Sequence, residues 1–364
     1  MKPSRFISRF IVVTAAATLF AGCAGQQVKN ERFFWPPLPD RPRLEWLNAY
    51  HNRLDLPQQG FSKVMGAIVG QDEGLAFKKP LDIASDGNGK VYVTDPGLGG
   101  VVVYDFVKSD VHLLADNDAL RMFKQVGALT VDNEGNLYVA DMQKKLVMVF
   151  DKNENPLRSI NIEKHVVQPG GLAVDSGRKR LIVVDGKGHK VVLFSLDGMF
   201  IANFGERGAR DGEFNFPFPV ALTSKGEIVV GDVMNARVQV FDSDGKFLRK
   251  FGTRGDGLAD FQILKGVAVD SEDNIYVTDG RGHKMVIFNS KGDYLLTVGG
   301  QYAAISSGRI APGGFLIPQG IDIDKNDVIY VVDQLNMRFQ VFQYISDSRL
   351  SSYPLPGQSP AMNK

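Results

Sequence analysis

The stretch Leu264 to Gly299 reads LKGVAVDSEDNIYVTDGRGHKMVIFNSKGDYLLTVG and decides the fold. It contains four short runs of apolar residues, separated by turns rich in Gly, Asp, Asn and Ser. Short β-rich runs bounded by turn residues predict four strands joined by hairpins. A sheet of this kind cannot bury both of its faces alone, so it must pack against other sheets.

The same unit recurs along the chain. An aspartate ends the second run of each copy, and we call these residues the closing aspartates. They are Asp95, Asp141, Asp185, Asp232, Asp279 and Asp333. A period in the forties with four strands per repeat is typical of a β-propeller, so six copies predict six blades.

The copies resemble NHL repeats. Gly-Asn-(Ile/Leu)-Tyr-Val-(Ala/Thr)-Asp and Asn-x-Arg-(Val/Phe)-Gln-Val-Phe-Asp are visible in the chain, most clearly in Val131 to Phe150, Asp232 to Lys246 and Gly266 to Asn289. The resemblance covers residues 80–344 and implies an all-β, six-bladed propeller of the NHL type. A likeness of fold says little about the ligand.

The two ends of the chain are expected to close the ring. The sixth repeat has only three strands, and Arg43 to Tyr50 reads as a lone strand. Pairing the two would leave no open sheet edge. We therefore assign the propeller to residues 43–346 and a polar tail to 347–364. Apolar residues at helical spacing from Phe61 to Val69 predict a short helix before blade 1, whose apolar stripe suits the propeller rim, a partner or a membrane.

The N-terminus resembles a bacterial lipoprotein signal. Basic residues precede the apolar stretch Phe10 to Phe20, and small residues precede Cys23, the only cysteine. The resemblance implies a signal peptide over 1–22, lipidation of Cys23 and a lipidated, Pro-rich tether over 23–42. A plain cleaved signal and an uncleaved anchor are the alternatives. By the same resemblance, Ala24 after the cysteine favours the outer membrane, so we expect a lipid-anchored protein of the cell envelope.

The charge of the chain is almost balanced. It has 42 Lys+Arg against 41 Asp+Glu, and removing the three cations ahead of Cys23 leaves 39 against 41, a net of about −2. Such a chain has no overall positive electrostatic potential that would attract nucleic acid, so no nucleic-acid partner is expected.

Two repeated features are interpreted as structural. A cation follows the closing aspartate by five residues in four copies, which predicts ion pairs across hairpin loops. The cations are Lys190, Arg237, Lys284 and Arg338. His189 and His283 share one repeat position, but blade 4 lies between their blades, so we expect each to shield a local turn and not to bind a metal.

The mouth of the central channel is the first candidate site. Asp82 is the sole acid among the residues predicted there, beside Lys265 and Gln319, and Asp322 replaces a small residue of the other copies. The calcium sites of similar gluconolactonase-like propellers need several oxygen ligands. We therefore predict no catalytic residue, metal or cofactor. On one interpretation these four residues are structural: Lys265 pairs with Asp322, or the side chains form a channel wall in contact with water. On the other interpretation they bind a ligand.

The long loops between blades are the second candidate site. Two of them run between phenylalanines ten positions apart, Phe204 to Phe214 and Phe251 to Phe261, and the third runs from Gly299 to Phe315. Loops on a rigid scaffold carry recognition, and Arg and Tyr are favoured at interfaces. The candidates are Arg207, Arg210, Arg254, Tyr302 and Arg309. The arginines equally suit a solvated rim, and the phenylalanines are expected to plug the spaces between blades.

The function expected from these observations is that of a non-catalytic, exported propeller. It would bind a protein partner as a scaffold or accessory factor of a cell-envelope, secretion or assembly complex. One alternative is a module that binds carbohydrate or peptidoglycan, so a glycan or small molecule remains an open partner class. The other is a metal-dependent hydrolase or lyase that uses Asp82 and Asp322.

Overall fold

The computed structural model describes residues 31–56, 74–115, 122–304 and 311–356. Several predictions fall outside these residues: the signal peptide over 1–22, lipidation of Cys23, the helix over 61–69 and the role of Arg309. Among the described residues, no helix is long and apolar enough to cross a membrane.

The described chain is built almost entirely from antiparallel strands. In chain order they are β1 (Phe33–Trp35), β2 (Leu44–Tyr50), β3 (Asp82–Ser85), β4 (Lys90–Asp95), β5 (Gly100–Asp105), β6 (Asp110–Leu113), β7 (Val126–Val131), β8 (Leu137–Asp141), β9 (Leu146–Phe150), β10 (Pro156–Asn161), β11 (Pro169–Asp175), β12 (Arg180–Asp185), β13 (Lys190–Ser195), β14 (Phe200–Phe204), β15 (Pro217–Leu222), β16 (Ile228–Asp232), β17 (Arg237–Phe241), β18 (Phe247–Phe251), β19 (Leu264–Val269), β20 (Ile275–Asp279), β21 (Lys284–Phe288), β22 (Tyr294–Gly299), β23 (Pro318–Ile323), β24 (Val328–Asp333) and β25 (Arg338–Tyr344).

These strands form six sheets, which are the blades of a propeller. Blades 1 to 5 are β3–β6, β7–β10, β11–β14, β15–β18 and β19–β22, each hydrogen-bonded in sequence order. The first strand of every blade contacts the first strands of its two neighbours, and these contacts run through all six blades and return to β3. The six-bladed, all-β fold is therefore confirmed.

Blade 6 joins the two ends of the chain. Its strand order is β1-β2-β25-β24-β23, with Leu44 opposite Tyr344 and Tyr50 opposite Phe339. The predicted closure by an N-terminal strand is confirmed. β1 was not predicted, because the proline cluster that follows it indicated an extended segment without partners. It pairs along the outer edge of β2, with Phe33 opposite Trp46.

Burial follows from the position of a strand within its blade. All six residues of β5 are buried, since both faces of a middle strand are covered by neighbouring blades. The outer strand β18 alternates between half-buried and exposed residues, because only one of its faces packs inward. The core therefore consists of apolar layers between blades, such as the cluster that includes Tyr138 of blade 2 and Val183 of blade 3.

The closing aspartates fix the loops that lead into the inner strands. Each is fully buried, and its carboxylate accepts a hydrogen bond from the amide seventeen residues earlier, at 2.7 Å in five blades and 2.9 Å in blade 3. The donors are Lys78, Lys124, Gln168, Asn215, Gln262 and Leu316. The connecting loops between blades and the loops between second and third strands therefore share one face, which we call the top face. The remaining hairpins form the bottom face.

The predicted ion pairs at the closing aspartates are only partly present. Arg237 and Arg338 bind Asp232 and Asp333 at 2.8 and 2.7 Å. The prediction is wrong for the lysines. Lys284 donates to the carbonyl oxygens of Gly257 and Leu258, and the ion pairs found in the described chain do not include Lys190 with Asp185. Backbone amides already occupy these carboxylates, so the lysines there reach other acceptors or solvent.

The two repeated histidines join neighbouring blades. Nδ1 of His189 accepts a hydrogen bond from the amide of Phe216, and Nδ1 of His283 accepts one from Ile317, both at 3.1 Å. Both donors have positive φ, 50° and 58°, and both belong to the connecting loop of the following blade. Each histidine therefore stabilises a strained turn next to it, as the structural interpretation predicts.

The C-terminal residues return to the N-terminal strand. A short helix, α1 (Asp347–Leu350), is capped by the side chain of Ser346. Asp347 pairs with Arg41 and Arg43, and the hydroxyl of Tyr353 donates to Glu45. Residues 347–353 thus extend the closure of blade 6.

Candidate functional site: the channel and the top face

The inner strands surround a channel of about 190 Å³. Its wall is mostly apolar or small side chains and backbone, and three of its lining residues are ionisable: Asp82, Lys265 and Asp322. Among the described residues, no group of three or more His, Cys, Asp or Glu side chains is placed to hold a metal ion.

Asp82 ties three blades together at the channel wall. Its Oδ2 accepts a hydrogen bond from the amide of Leu129 in blade 2, at 3.2 Å. Its Oδ1 lies against Gly320 of blade 6, where a Cβ would come within 2.2 Å of it. Burial raises the pKa of Asp82 to about 6. A carboxyl with such a pKa is partly protonated near neutral pH.

Asp322 lies further towards the bottom face. Its Oδ2 accepts a hydrogen bond from the amide of Ser85 in blade 1, at 2.7 Å. It also lines a bottom-face pocket of about 410 Å³, together with Asp86, Asp132 and Asp324. Burial, with smaller contributions from Asp324 and Asp82, raises the pKa of Asp322 to about 7.

The structure does not bring Lys265 to Asp322. Lys265 is the second residue of β19 and Asp322 the fifth of β23, so they are offset by three positions, or ~10 Å along the strand direction. A Cβ on Gly280, in a top-face loop, would meet the side chain of Lys265 at 2.8 Å. Burial lowers the pKa of Lys265. The predicted pairing is wrong, because the two residues face opposite ends of the channel.

Gln319 is not part of the channel lining. It is 7% exposed, and its side-chain Nε2 donates to Oε1 of Gln334 at 3.2 Å. Gln334 in turn donates to the carbonyl of Pro80 in blade 1 at 2.9 Å. The four residues expected at the mouth are thus divided between the upper wall, the lower wall and a link between blades 6 and 1.

Two connecting loops on the top face are held by side-chain clamps. The blade 4 clamp is Asp232, Asn235, Arg237 and Gln239, and the blade 6 clamp is Asp333, Asn336, Arg338 and Gln340. In each, the Asn, Arg and Gln side chains bind the aspartate and also donate to carbonyl oxygens of the loop. The repeated Asn-x-Arg-x-Gln pattern is therefore the sequence signal for a fixed loop.

The predicted loop arginines have different surroundings. Arg207 is exposed, and Arg210 binds Glu213 of its own loop, with Nε 2.6 Å from Oε1. Arg254 donates to the carbonyl oxygens of Met234 and Gln262, at 2.8 and 3.1 Å, and so connects blades 4 and 5. Arg210 and Arg254 therefore stabilise their loops.

The predicted aromatic residues of these loops are more buried than the arginines. Tyr302 is half-buried, and its carbonyl accepts from Asn336 of the blade 6 clamp. Phe214, Phe261 and Phe315 are fully buried in the layers between blades, as predicted.

Other apolar side chains remain exposed on the top loops of blades 4 to 6. They are Phe216, Met234, Leu258, Leu335 and Met337. The sequence pattern does not distinguish them, because apolar residues in a repeat protein are expected in the core. Their signal is positional: each lies between two strands, outside the strand pattern.

The comparisons with known proteins agree with this fold. A family described as 6-bladed beta-propeller, DUF5128, matches residues 220–305. Among curated proteins, the chain is similar to Protein brain tumor of Drosophila melanogaster, with 34% identity over 70 residues. That match spans 19% of this chain and 7% of the length of that protein.

Two solved structures are similar over most of the chain. A streptogramin B lyase has a TM-score of 0.55 at 12% identity, with 74% of this chain and 95% of that one covered. A structural genomics protein of unknown function from Bacteroides thetaiotaomicron has a TM-score of 0.58 at 19% identity, with 75% and 71% covered. At these identities the likeness shows the fold alone. With its six sheets in a closed ring, the chain is a six-bladed β-propeller.

Proposed function

We propose that this propeller is a non-catalytic scaffold or accessory factor that binds a protein partner through the top loops of blades 4 to 6. The observation that carries the proposal is the set of exposed apolar side chains on loops that are held in place. Leu258, for example, is 66% exposed. Apolar and aromatic side chains at a surface favour protein association when water is excluded from them.

The clamps strengthen this proposal, because a fixed loop loses little conformational freedom on binding. Met234 donates its amide to the carbonyl of Asn215, and Leu335 donates to that of Leu316. The exposed side chains are therefore carried by backbone that is bonded to the neighbouring loop. Such a surface favours recognition by shape with little rearrangement.

The place of action is part of the same proposal. The lipoprotein-like N-terminus, with Cys23 as the lipid-bearing residue, would hold the disc at a membrane of the cell envelope, by resemblance the outer membrane. Palmitate labelling of the wild type and of a Cys23→Ser variant tests this point. Equal labelling of the two would refute the anchor.

The experiment that tests partner binding is photo-crosslinking in intact cells. A photoreactive residue at position 258 or 337 is expected to capture a defined protein. The matched controls are positions 107 and 199 on the bottom face, because Val107 is 75% and Met199 64% exposed. The same captured protein from both faces would contradict the proposal.

A second candidate function is a hydrolase or lyase reaction in the channel. The observation that favours it is the pair Asp82 and Asp322, whose raised pKa values suit general acid–base chemistry near neutral pH. Metal analysis of the purified protein discriminates the two proposals. A stoichiometric ion that is lost in Asp82→Ala would favour the enzyme.

A further inference from the structure

The top face of blades 1 to 3 differs in charge from the rest of the disc. Six exposed lysines lie on its loops: Lys78, Lys79, Lys124, Lys144, Lys164 and Lys187. The loops are fixed by the closing aspartates, since the amides of Lys78, Lys79, Lys124 and Lys144 donate to Asp95 or Asp141. We call these six residues the lysine crescent.

Few acids oppose the lysine crescent. In the described top loops of blades 1 to 3, Glu163 is the sole exposed acid. The buried Asp95, Asp141 and Asp185 lie beneath these loops. Even when they are counted with Glu163, six lysines face four carboxylates. The segments 57–73 and 116–121, which together carry four acids and two cations, lie outside the described residues.

The top loops of blades 4 to 6 have the opposite character. Their charges are balanced locally: Arg210 binds Glu213, and Asp211 binds Lys250. Burial lowers the pKa of Lys284, and the nearby carboxylates of Asp279, Asp260 and Asp256 oppose this shift. This half carries the exposed apolar side chains described above. The top face therefore has a basic half, where Val167 is also exposed, and a half that carries five exposed apolar side chains.

We infer that the protein partner presents an acidic polypeptide segment to the lysine crescent while its apolar side chains pack on blades 4 to 6. This inference rests on the proposed function and specifies the chemistry of the partner. Complementary charge increases the association rate and fixes orientation, whereas apolar contacts supply most of the affinity. A divided face thus sets the direction in which the partner lies.

The segregation of the two halves argues against other anionic surfaces. A membrane is uniform, and proteins that lie on it combine basic and apolar residues along one contact surface. Single-stranded nucleic acid is bound where aromatic side chains for base stacking accompany the cations. In the described crescent loops, Phe77, Phe123 and His189 are buried, and His165 is stacked on Phe200 with 4.2 Å between the ring centroids.

The test uses purified full-length protein and three defined probes: poly-L-glutamate, vesicles containing phosphatidylglycerol, and oligo-dT. We expect salt-dependent binding of poly-L-glutamate, at least tenfold tighter than binding of either other probe. A variant with Lys78, Lys79, Lys124 and Lys187 changed to Gln should lose at least tenfold in affinity. The matched control changes the exposed bottom-face lysines Lys108, Lys225, Lys246 and Lys291 to Gln.

Preference for vesicles or oligo-dT, or equal losses in the two variants, would overturn the inference. Thermal melts of both variants show whether folding is retained, and the side chains of the four crescent lysines make no hydrogen bond within the described structure. The photo-crosslinking experiment separates this inference from the proposed function. If the partner is captured from position 258 equally well in the crescent variant and the wild type, the inference fails and the proposed function stands.

Discussion

The indole nitrogen of Trp46 donates a hydrogen bond to Oε1 of Gln340, with 3.0 Å between the two atoms. Trp46 belongs to the N-terminal strand and Gln340 to the third strand of blade 6. Gln340 also accepts from the amide of Gly313 and donates to the carbonyl of Gly314 and to Asp333. The closure of the ring and the shape of the longest top loop therefore depend on one side chain.

Replacing Trp46 by Phe should weaken this connection. The variant loses one partly buried hydrogen bond, so we expect the free energy of unfolding to fall by about 1 kcal/mol. Chemical denaturation measures the change. Trp35→Phe is the control. Trp35 also packs in blade 6, with 5.9 Å between its ring centroid and that of Phe342, and its indole donates no described hydrogen bond. Equal losses in both variants would show that packing and not the hydrogen bond is decisive.

Removing the N-terminal strands should abolish the folded monomer. A chain that begins at residue 52 lacks β1 and β2, and it leaves the edge of β25 unpaired. Unpaired edges and exposed aromatic residues promote aggregation. Size-exclusion chromatography should show aggregates for this chain and a monomer for a chain that begins at residue 31. A monomeric product with a native circular dichroism spectrum from the shorter chain would refute the closure as a requirement.

Substituting a closing aspartate should be strongly destabilising. In Asp279→Asn the new NH₂ group faces amides that now donate to the carboxylate, from Gln262 and Ile263 at 2.7 and 2.9 Å. We expect a loss of about 2–4 kcal/mol, measured by urea denaturation, because buried donors are left without partners. Glu163→Gln, at an exposed carboxylate, is the control and should change little. A near-neutral Asp279→Asn would mean that the loop reaches its position without this residue.

The channel carboxyl Asp322 should make stability depend on pH. Its pKa is about 7 in the folded protein, above the usual aspartate value of 3.8, so the folded state binds more protons between about pH 4 and 7. The free energy of unfolding therefore falls as the pH rises through this window. Asp322→Asn removes the charge and keeps an oxygen for the amide of Ser85.

We expect Asp322→Asn to gain about 1–2 kcal/mol at pH 8 and little at pH 5, less than the full shift implies, because the side chain is only half-buried where it lines the channel. Thermal melts at both values check this. Asp242→Asn is a control of opposite sign, since backbone hydrogen bonds, first from Lys246, lower the pKa of Asp242. A variant of Asp322 that is less stable at pH 8 than the wild type would contradict the argument.

Much of the fold could be predicted from local patterns. The spacing of the closing aspartates determines the number of blades, and a three-stranded last repeat implies a missing strand that Leu44 to Tyr50 supplies. These inferences succeed because each blade is a local unit whose pattern repeats. β1 and α1 have no counterpart in the repeat, so no pattern pointed to them.

The candidate site was less predictable, because it depends on relations between blades. Lys265 and Asp322 lie in adjacent repeats, yet their places along the strands separate them. The side chain of Gln319 turns from the channel to Gln334. The lysine crescent was hidden by a balanced total charge, since only the assembled ring shows which loops share a face.

Ring closure also sets the order of events during synthesis. Trp46 and Gln340 are separated by 294 positions, so the ribosome makes the first two strands of blade 6 long before the other three. Until the last strand emerges, β2 can pair only with β1, and its edge towards β25 stays open while nearly the whole chain is made. Long-range pairing of this kind slows folding and prolongs the exposure of aggregation-prone edges. Such a chain would benefit from a chaperone that holds its early strand until translation ends.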